Sequence, residues 1–216
     1  MEDRCTLNPV ADLGTTDYAW ALELQRKIVN KVKKGEIGDV LLFLSHLPVY
    51  TVGRGKRPEN YYGVEVIDTE RGGDVTYHGP GQLVVYPIFD LEKNGIMGAR
   101  KFVQVIEDVI ISSIGSFGFV GEIGDEPGIW VEGKKIASIG LAIRESVSFH
   151  GVAINISEEV IPGFSKINPC GLHPDTIGFV KIDREKLIAE IRANFERAVH
   201  KFDDVAPSFF YELART

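Results

Sequence analysis

Three short segments of this chain carry residue types that can do chemistry. The first is Arg71-Gly72-Gly73-Asp74-Val75-Thr76-Tyr77-His78-Gly79-Pro80-Gly81-Gln82, with four glycines and a proline in twelve residues. Such a segment bends sharply and lets a ligand approach the backbone, while Arg71, Thr76, His78 and Gln82 offer side-chain hydrogen bonds. A tight turn leading into a strand explains the same residues equally well. Neither a Gly-Lys-Ser/Thr ending nor Gly-x-Gly-x-x-Gly spacing is present, so it is no P-loop and no dinucleotide fingerprint. The second segment is Gly133-Lys134-Lys135-Ile136-Ala137-Ser138-Ile139-Gly140. It reads as a strand opened by two lysines. Alternation puts Lys135, Ala137 and Ile139 on one face and Lys134, Ile136 and Ser138 on the other. A hairpin tip with two solvated lysines is the simpler account of these residues alone. The third, Ser165-Lys166-Ile167-Asn168-Pro169-Cys170-Gly171-Leu172-His173, places Cys170 on a turn between proline and glycine. Turn cysteines can be reactive, whereas buried ones behave as small hydrophobes. His173 is near enough in sequence to suggest a Cys–His pair, although an inert cysteine is the simpler account.

The composition narrows what this chemistry can be. The chain has 216 residues, 44% of them apolar and 25% charged, which fits one globular domain over residues 1–216 with room for a small lobe. Its net charge of −7 is the reverse of what a nucleic-acid binder shows. Two cysteines, Cys5 and Cys170, cannot make a disulfide framework. His46, His78, His150, His173 and His200 lack metal-ligand spacing, so no metal site is expected. The N-terminus lacks a signal peptide's apolar core, and no apolar run approaches the ~20 residues of a membrane span. A cytoplasmic protein with free thiols, binding neither nucleic acid nor membrane, is expected.

The elements that must position these segments follow from periodicity. Amphipathic helices are predicted over about 16–34, 98–116 and 184–202, the last with Asp183 as N-cap. Strands are predicted at 39–45, 64–68, 82–89, 128–131, 135–143 and 149–156, with one more short helix within 203–216. Helices and strands alternate without a repeating βα unit. That argues for an α+β fold, a mainly antiparallel sheet with packed helices.

Taken together, the segments resemble the octanoyl-[acyl-carrier-protein]:protein N-octanoyltransferases of lipoic acid synthesis. The resemblance runs from about Asp39 to Gly171. It rests on Pro48-Val49-Tyr50-Thr51-Val52-Gly53, on Arg71–Gln82, on Pro127-Gly128-Ile129-Trp130-Val131 with Lys135–Gly140, on Phe149-His150-Gly151-Val152-Ala153-Ile154-Asn155, and on Asn168-Pro169-Cys170-Gly171. Where the family often has Glu-His-Pro-Pro, this chain has Ser45-His46-Leu47-Pro48. The resemblance implies a fold similar to the biotin and lipoate protein ligase catalytic domain. It implies that Cys170 is the nucleophile and Lys135 its partner. The octanoyl group would pass from an acyl carrier protein thioester to Cys170. It would then pass to a lysine of a lipoyl domain, in 2-oxoacid dehydrogenase complexes or the glycine cleavage H protein. No cofactor is implied, because exchanging a thioester for an amide runs downhill.

A nearby ammonium favours a thiolate. A lysine that first gives and later takes a proton needs a pKa moved towards neutrality, as burial provides. By the resemblance, the acyl pocket is lined by Arg71, Gly72, Gly73, Asp74, Val75, Thr76, Tyr77 and His78, by Ser138, Ile139 and Gly140, and by Gly151, Val152 and Ala153, the small residues leaving a tunnel. Arg54-Gly55-Lys56-Arg57, with Lys134, is a candidate basic patch for an acidic carrier protein, or else a solvated loop. Four other readings stay open at this point: an ATP-dependent lipoate ligase of the same fold, an amidotransferase between lipoyl-bearing proteins, a non-catalytic acyl-binding module, and a Cys170–His173 hydrolase.

Overall fold

Alternating apolar residues build a sheet buried on both faces. The computed structural model describes residues 7–124 and 126–215 and, for Cys170, the backbone alone. Cys5 lies outside the described residues. In chain order the elements are β1 (Pro9–Thr16), α1 (Tyr18–Lys33), β2 (Val40–His46), β3 (Val49–Val52), β4 (Ile67–Asp68), β5 (Thr76–His78), β6 (Gln82–Ile88), α2 (Ala99–Gly115), β7 (Glu122–Ile123), β8 (Gly128–Val131), β9 (Lys134–Arg144), β10 (Val147–Asn155), α3 (Ile161–Phe164), α4 (Arg184–Ala198), β11 (Asp203–Asp204) and α5 (Pro207–Arg215). The large sheet has the order β11-β1-β2-β6-β10-β9-β8-β7, and a small one the order β4-β3-β5. Only the β11-β1-β2 edge of the large sheet is parallel; its other pairs are antiparallel. The mainly antiparallel α+β expectation holds.

The period of two sorts side chains between the faces. Leu41, Phe43, Leu83, Val85, Val152 and Ile154 pack with Phe102 and Ile106 of α2 and Leu187, Ile191 and Phe195 of α4. Leu42, Leu44, Val84, Tyr86 and Ala153 pack on the other side with Leu24, Ile28 and Val32 of α1 and Phe210 of α5. A strand covered on both faces reads as a continuous apolar run, as 40–44 and 83–89 do.

α1 is capped by Asp17, which accepts from the Trp20 N–H at 2.9 Å, and α4 by Asp183, which accepts from Lys186 N–H at 3.0 Å. α4 stops at Ala198, short of the predicted 202, because the chain turns there to pair β11 with β1. The predicted strand 64–68 shrinks to β4. β1, β3, β5, β7 and β11 were not expected. β1 has a register break between Asp12 and Thr15 and is held in place by β2. β3 and β5 exist by pairing with each other. No helix among the described residues is long and apolar enough to cross a membrane.

Candidate functional site

The sheet's register brings the lysine segment and the glycine-rich segment together. β8 and β9 pair Trp130 with Lys135 but Ile129 with Ala137, so Ile136 is an extra residue. This β-bulge resets the alternation. Lys135 and Ser138, expected on opposite faces, line the same cavity with Ile139 and Gly140. Lys135 is no solvated hairpin lysine: it is 3% exposed, with Nζ 6.0 Å from the Trp130 ring centroid. Its backbone carbonyl accepts the Gly178 N–H at 3.0 Å. Gly128 makes room for it, since a Cβ there would stand 2.6 Å from Lys135 Cε.

The glycine-rich segment forms the facing wall. Arg71 is buried; its Nη2 donates to Thr51 O at 2.8 Å and to Thr51 Oγ1 at 2.9 Å, and its Nη1 donates to Gly72 O at 2.9 Å. The guanidinium thus brackets the loop to β3. Gly72, Gly73, Asp74, Val75, Thr76 and His78 all line the cavity. Thr76 Oγ1 is buried and has no hydrogen-bond partner among the described residues. His78 Nδ1 donates to Gln82 Oε1 at 2.9 Å, and Gln82 Nε2 donates to Asn155 Oδ1 at 2.9 Å.

Tyr77, grouped with this wall from sequence, is not among the lining residues. Within β5 the alternation sends residues 76 and 78 to the cavity and the Tyr77 ring to the opposite face. There it meets Phe164 at 5.7 Å and Tyr50 at 5.2 Å between centroids.

Gly151, Val152 and Ala153 of β10 complete the wall, with Gly151 opposite Gly140 across the strands. Their glycines serve close packing rather than tunnel width. A Cβ on Gly151 would lie 2.0 Å from Val85 O, and one on Gly140 would lie 3.1 Å from Arg71 Cδ. Counted with its open solvent-filled mouth, the cavity spans about 600 Å³.

Sequence reasoning missed part of the lining. Tyr18, Val84, Tyr86 and His150 also line the cavity. Val84 and Tyr86 fall on the same side of β6 by alternation. The helical residue Tyr18 gives no sign that it stacks on His78, 60 positions later, at 5.7 Å. His150 sits within a quoted motif, in a left-handed backbone conformation at φ +59°.

These rings are uncharged near neutral pH. Burial pushes the His46 and His150 imidazoles down to about 4. It pushes His78 well below the usual histidine value, with the charges of His46 and Arg71 adding to the effect. Burial pushes the Tyr18 hydroxyl up to about 12. His46 fits the neutral form: Nδ1 donates to the Thr16 carbonyl at 3.3 Å while Nε2 lies 2.7 Å from Tyr86 Oη, placed to accept its proton.

A pH dependence of stability follows. Above pH 6.5 these rings are neutral in both the folded and the unfolded chain. Between 6.5 and about 4 only the unfolded chain takes up protons, so stability falls as pH falls through that window. At pH 5 the loss is about 2 kcal/mol for each of His46 and His150. Asp39 and Glu107, whose carboxyls burial raises, oppose it in part. Thermal melts at pH 7 and pH 5 should show a lower Tm at pH 5, with a smaller drop in His46→Gln. A flat profile would contradict the neutral assignment.

Asp74, Pro127 and Pro169 also line the cavity, and of these only Pro127 is exposed. Pro169 opens the 3-10 turn Pro169–Gly171, whose backbone carries Cys170; the Cys170 side chain lies outside the described residues. His173 is 73% exposed and its Nδ1 accepts the Asp175 N–H at 3.3 Å, capping the next turn. Lys56 is paired with Asp68 at 2.6 Å, and Lys134 Nζ donates to Asp175 O. Arg54 and Arg57 are exposed, and neither guanidinium has a hydrogen bond or ion pair among the described residues. A Cβ built on Gly171 would lie 3.8 Å from Arg57 Nη1.

Residues 17–195 match a family model described as the lipoyl protein ligase A/B catalytic domain. A protein of Geobacter metallireducens called an octanoyltransferase is 42% identical over 168 residues, covering 76% of this chain and 77% of its own. A crystal structure of lipoate-protein ligase A bound with ATP superimposes with a TM-score of 0.77 at 14% identity, over 97% of this chain and 93% of the other. A biotin acetyl coenzyme A carboxylase synthetase from Helicobacter pylori, with bound biotinylated ATP, gives 0.54 at 8% identity over 89% and 76%. At these identities the two structures speak for the fold alone.

Proposed function

Because the chain belongs to the lipoyl protein ligase A/B catalytic domain family, we propose that this acyltransferase moves an octanoyl group from an acyl carrier protein thioester to a lysine of a lipoyl domain through Cys170. The observation that carries the reading is the buried Lys135 in the wall of a cavity whose other charged lining residues, Arg71 and Asp74, hold hydrogen bonds to neighbouring segments. Pro169 of the Cys170 turn lines the same cavity. An alkyl chain laid along Val75, Val84, Ile139 and Val152 gains about 0.8 kcal/mol per buried methylene.

The chemistry runs in two balanced steps. The Cys170 thiolate attacks the thioester carbon, a carbon–sulfur bond to the carrier breaks, and the Lys135 ammonium protonates the departing thiolate. The acceptor amine then attacks the acyl-Cys170 carbon. The Cys170–acyl bond breaks as the amide forms, and the neutral Lys135 amine takes the proton that the incoming nitrogen loses. Covalent catalysis divides the transfer into two easier barriers.

The test is the intact mass of the protein mixed with octanoyl-carrier protein, without acceptor or ATP. One octanoyl adduct, discharged by apo lipoyl domain, is the expected result. No adduct, with modification of the lipoyl domain driven by octanoate and ATP, overturns the reading in favour of a ligase.

The acidic carrier is met by the exposed Arg54 and Arg57, the latter beside Gly171 of the Cys170 turn. Reversing both to glutamate should raise the apparent KM for the carrier about 10-fold at low salt, less at high salt, because rim charges act on encounter. An unchanged KM at low salt removes this patch from docking.

A further inference from the structure

Asn60 lies in no chemistry-bearing segment and does not line the cavity, yet it is buried at 8% exposure between the cavity wall and the Cys170 turn. Its side chain faces one and its backbone the other. Asp74, a cavity-wall residue 5% exposed, accepts the Arg57 N–H at 2.9 Å through Oδ1 and the Asn60 amide through Oδ2. The Asn60 carbonyl accepts the Asn168 N–H at 2.8 Å, and the Asn168 carbonyl accepts the Gly171 N–H at 2.9 Å, closing the turn around residue 170. The two turns also touch: a Cβ built on Gly171, at φ +77°, would lie 3.9 Å from Asn60 Nδ2.

We propose that Asn60 is a positioning residue that ties the acyl-cavity wall to the turn carrying Cys170, so that a bound acyl group and the sulfur that attacks it are held in one frame. The proposal rests on Cys170 being the nucleophile. Asp74 is the anchor: a buried carboxylate must keep its donors, and both of them belong to the 57–60 segment. The Asn60 amide satisfies it from a conformation that also presents its carbonyl to Asn168. The frame matters because a reacting atom displaced by about 1 Å can cost about 100-fold in rate.

Asn60→Asp keeps the shape and sets a carboxylate against the Asp74 carboxylate. The exchange Asn60→Asp with Asp74→Asn restores one donor and one acceptor with their places reversed, and the amide oxygen then at position 74 still accepts the Arg57 N–H. The readout is the single-turnover rate of Cys170 octanoylation, beside the affinity for a non-transferable octanoyl amide of the pantetheine arm and the Tm. The expected result is a fall of about 10- to 100-fold in the acylation rate for Asn60→Asp, with amide affinity held within about 3-fold. The exchange variant should recover most of the rate.

Acylation by folded Asn60→Asp within twofold of the unaltered protein overturns the proposal. So does a loss that appears wholly in amide affinity. If Asn60→Asp does not fold, the exchange variant decides against Asp74→Asn alone: folded and faster than Asp74→Asn supports the tie, folded and no faster refutes it. Cys170→Ala run alongside separates the two ideas. Full transfer by Cys170→Ala removes the nucleophile reading itself, whereas its inactivity beside a normal Asn60→Asp removes only the positioning role.

Discussion

Cys170→Ala is expected to abolish the octanoyl adduct and to slow transfer to a lipoyl domain by at least about 10³-fold, the scale seen when a covalent nucleophile is removed. The cavity should still bind the acyl chain, because Val75, Val84, Ile139 and Val152 do not depend on the thiol. The loss should therefore fall on kcat, with KM for octanoyl-carrier protein nearly unchanged. What remains is direct attack by the acceptor amine on the carrier thioester, without the division into two barriers. Cys170→Ser is the informative companion. A hydroxyl of far higher pKa is a poor nucleophile beside an amine, so any ester adduct should form slowly and discharge slowly. Intact mass and steady-state rates check both variants. Transfer by Cys170→Ala above a tenth of the normal rate would remove acyl-Cys170 from the pathway.

The legible part of the fold was the part with strong local signals. β6, β8, β9 and β10 appear within a few residues of where β-branched runs placed them, and Asp183 caps α4 as its position before an amphipathic stripe suggested. The elements that escaped lack such signals. β1 contains Pro9, Gly14 and a register break, and is a strand because β2 supplies a parallel partner 30 residues away. β3 and β5 flank the glycine-rich loop and exist by pairing with each other. A pairing between segments more than twenty residues apart leaves no trace in either segment's own pattern.

The site divides in the same way. Gly72 to Thr76 and Ser138 to Gly140, which line one cavity, are grouped by the family resemblance and not by their own spacing. Two placements inside them escape it. The bulge at Ile136 puts Lys135 and Ser138 on one side against plain alternation, and it arises from the register with β8. Conversely, the strand period in β5 turns Tyr77 away, which alternation would have shown had residues 76–78 been read as a strand. Tyr18 and Asn60 were out of reach for another reason. One stacks on His78 and the other bridges Asp74 to Asn168, and such contacts are known only once the chain has folded. The neutral state of His46, His78 and His150 likewise depends on burial that composition does not reveal.

Lys135→Met should lower kcat by about 10²- to 10⁴-fold, the usual contribution of a positioned acid or base. Methionine keeps an unbranched stem that fits between Gly128 and Trp130, so folding and acyl binding should survive. Lys135→Arg separates two roles the amine could play. If the residue serves only to hold positive charge near the thiol, arginine keeps that charge and most of the rate should return. If it carries protons to the departing thiolate and from the incoming amine, arginine fails, because a guanidinium stays protonated through both steps. The cramped surroundings alone do not decide this, since a 3% exposed position disfavours the wider fork as well. The half-reactions do. A steric fault should weaken binding of the non-transferable octanoyl amide. A missing proton carrier should leave that affinity intact and slow both acylation by the carrier and discharge by the lipoyl domain. Slow acylation with normal discharge would confine Lys135 to activating the thiol, and the same two variants would then show it as a charge and not as a shuttle.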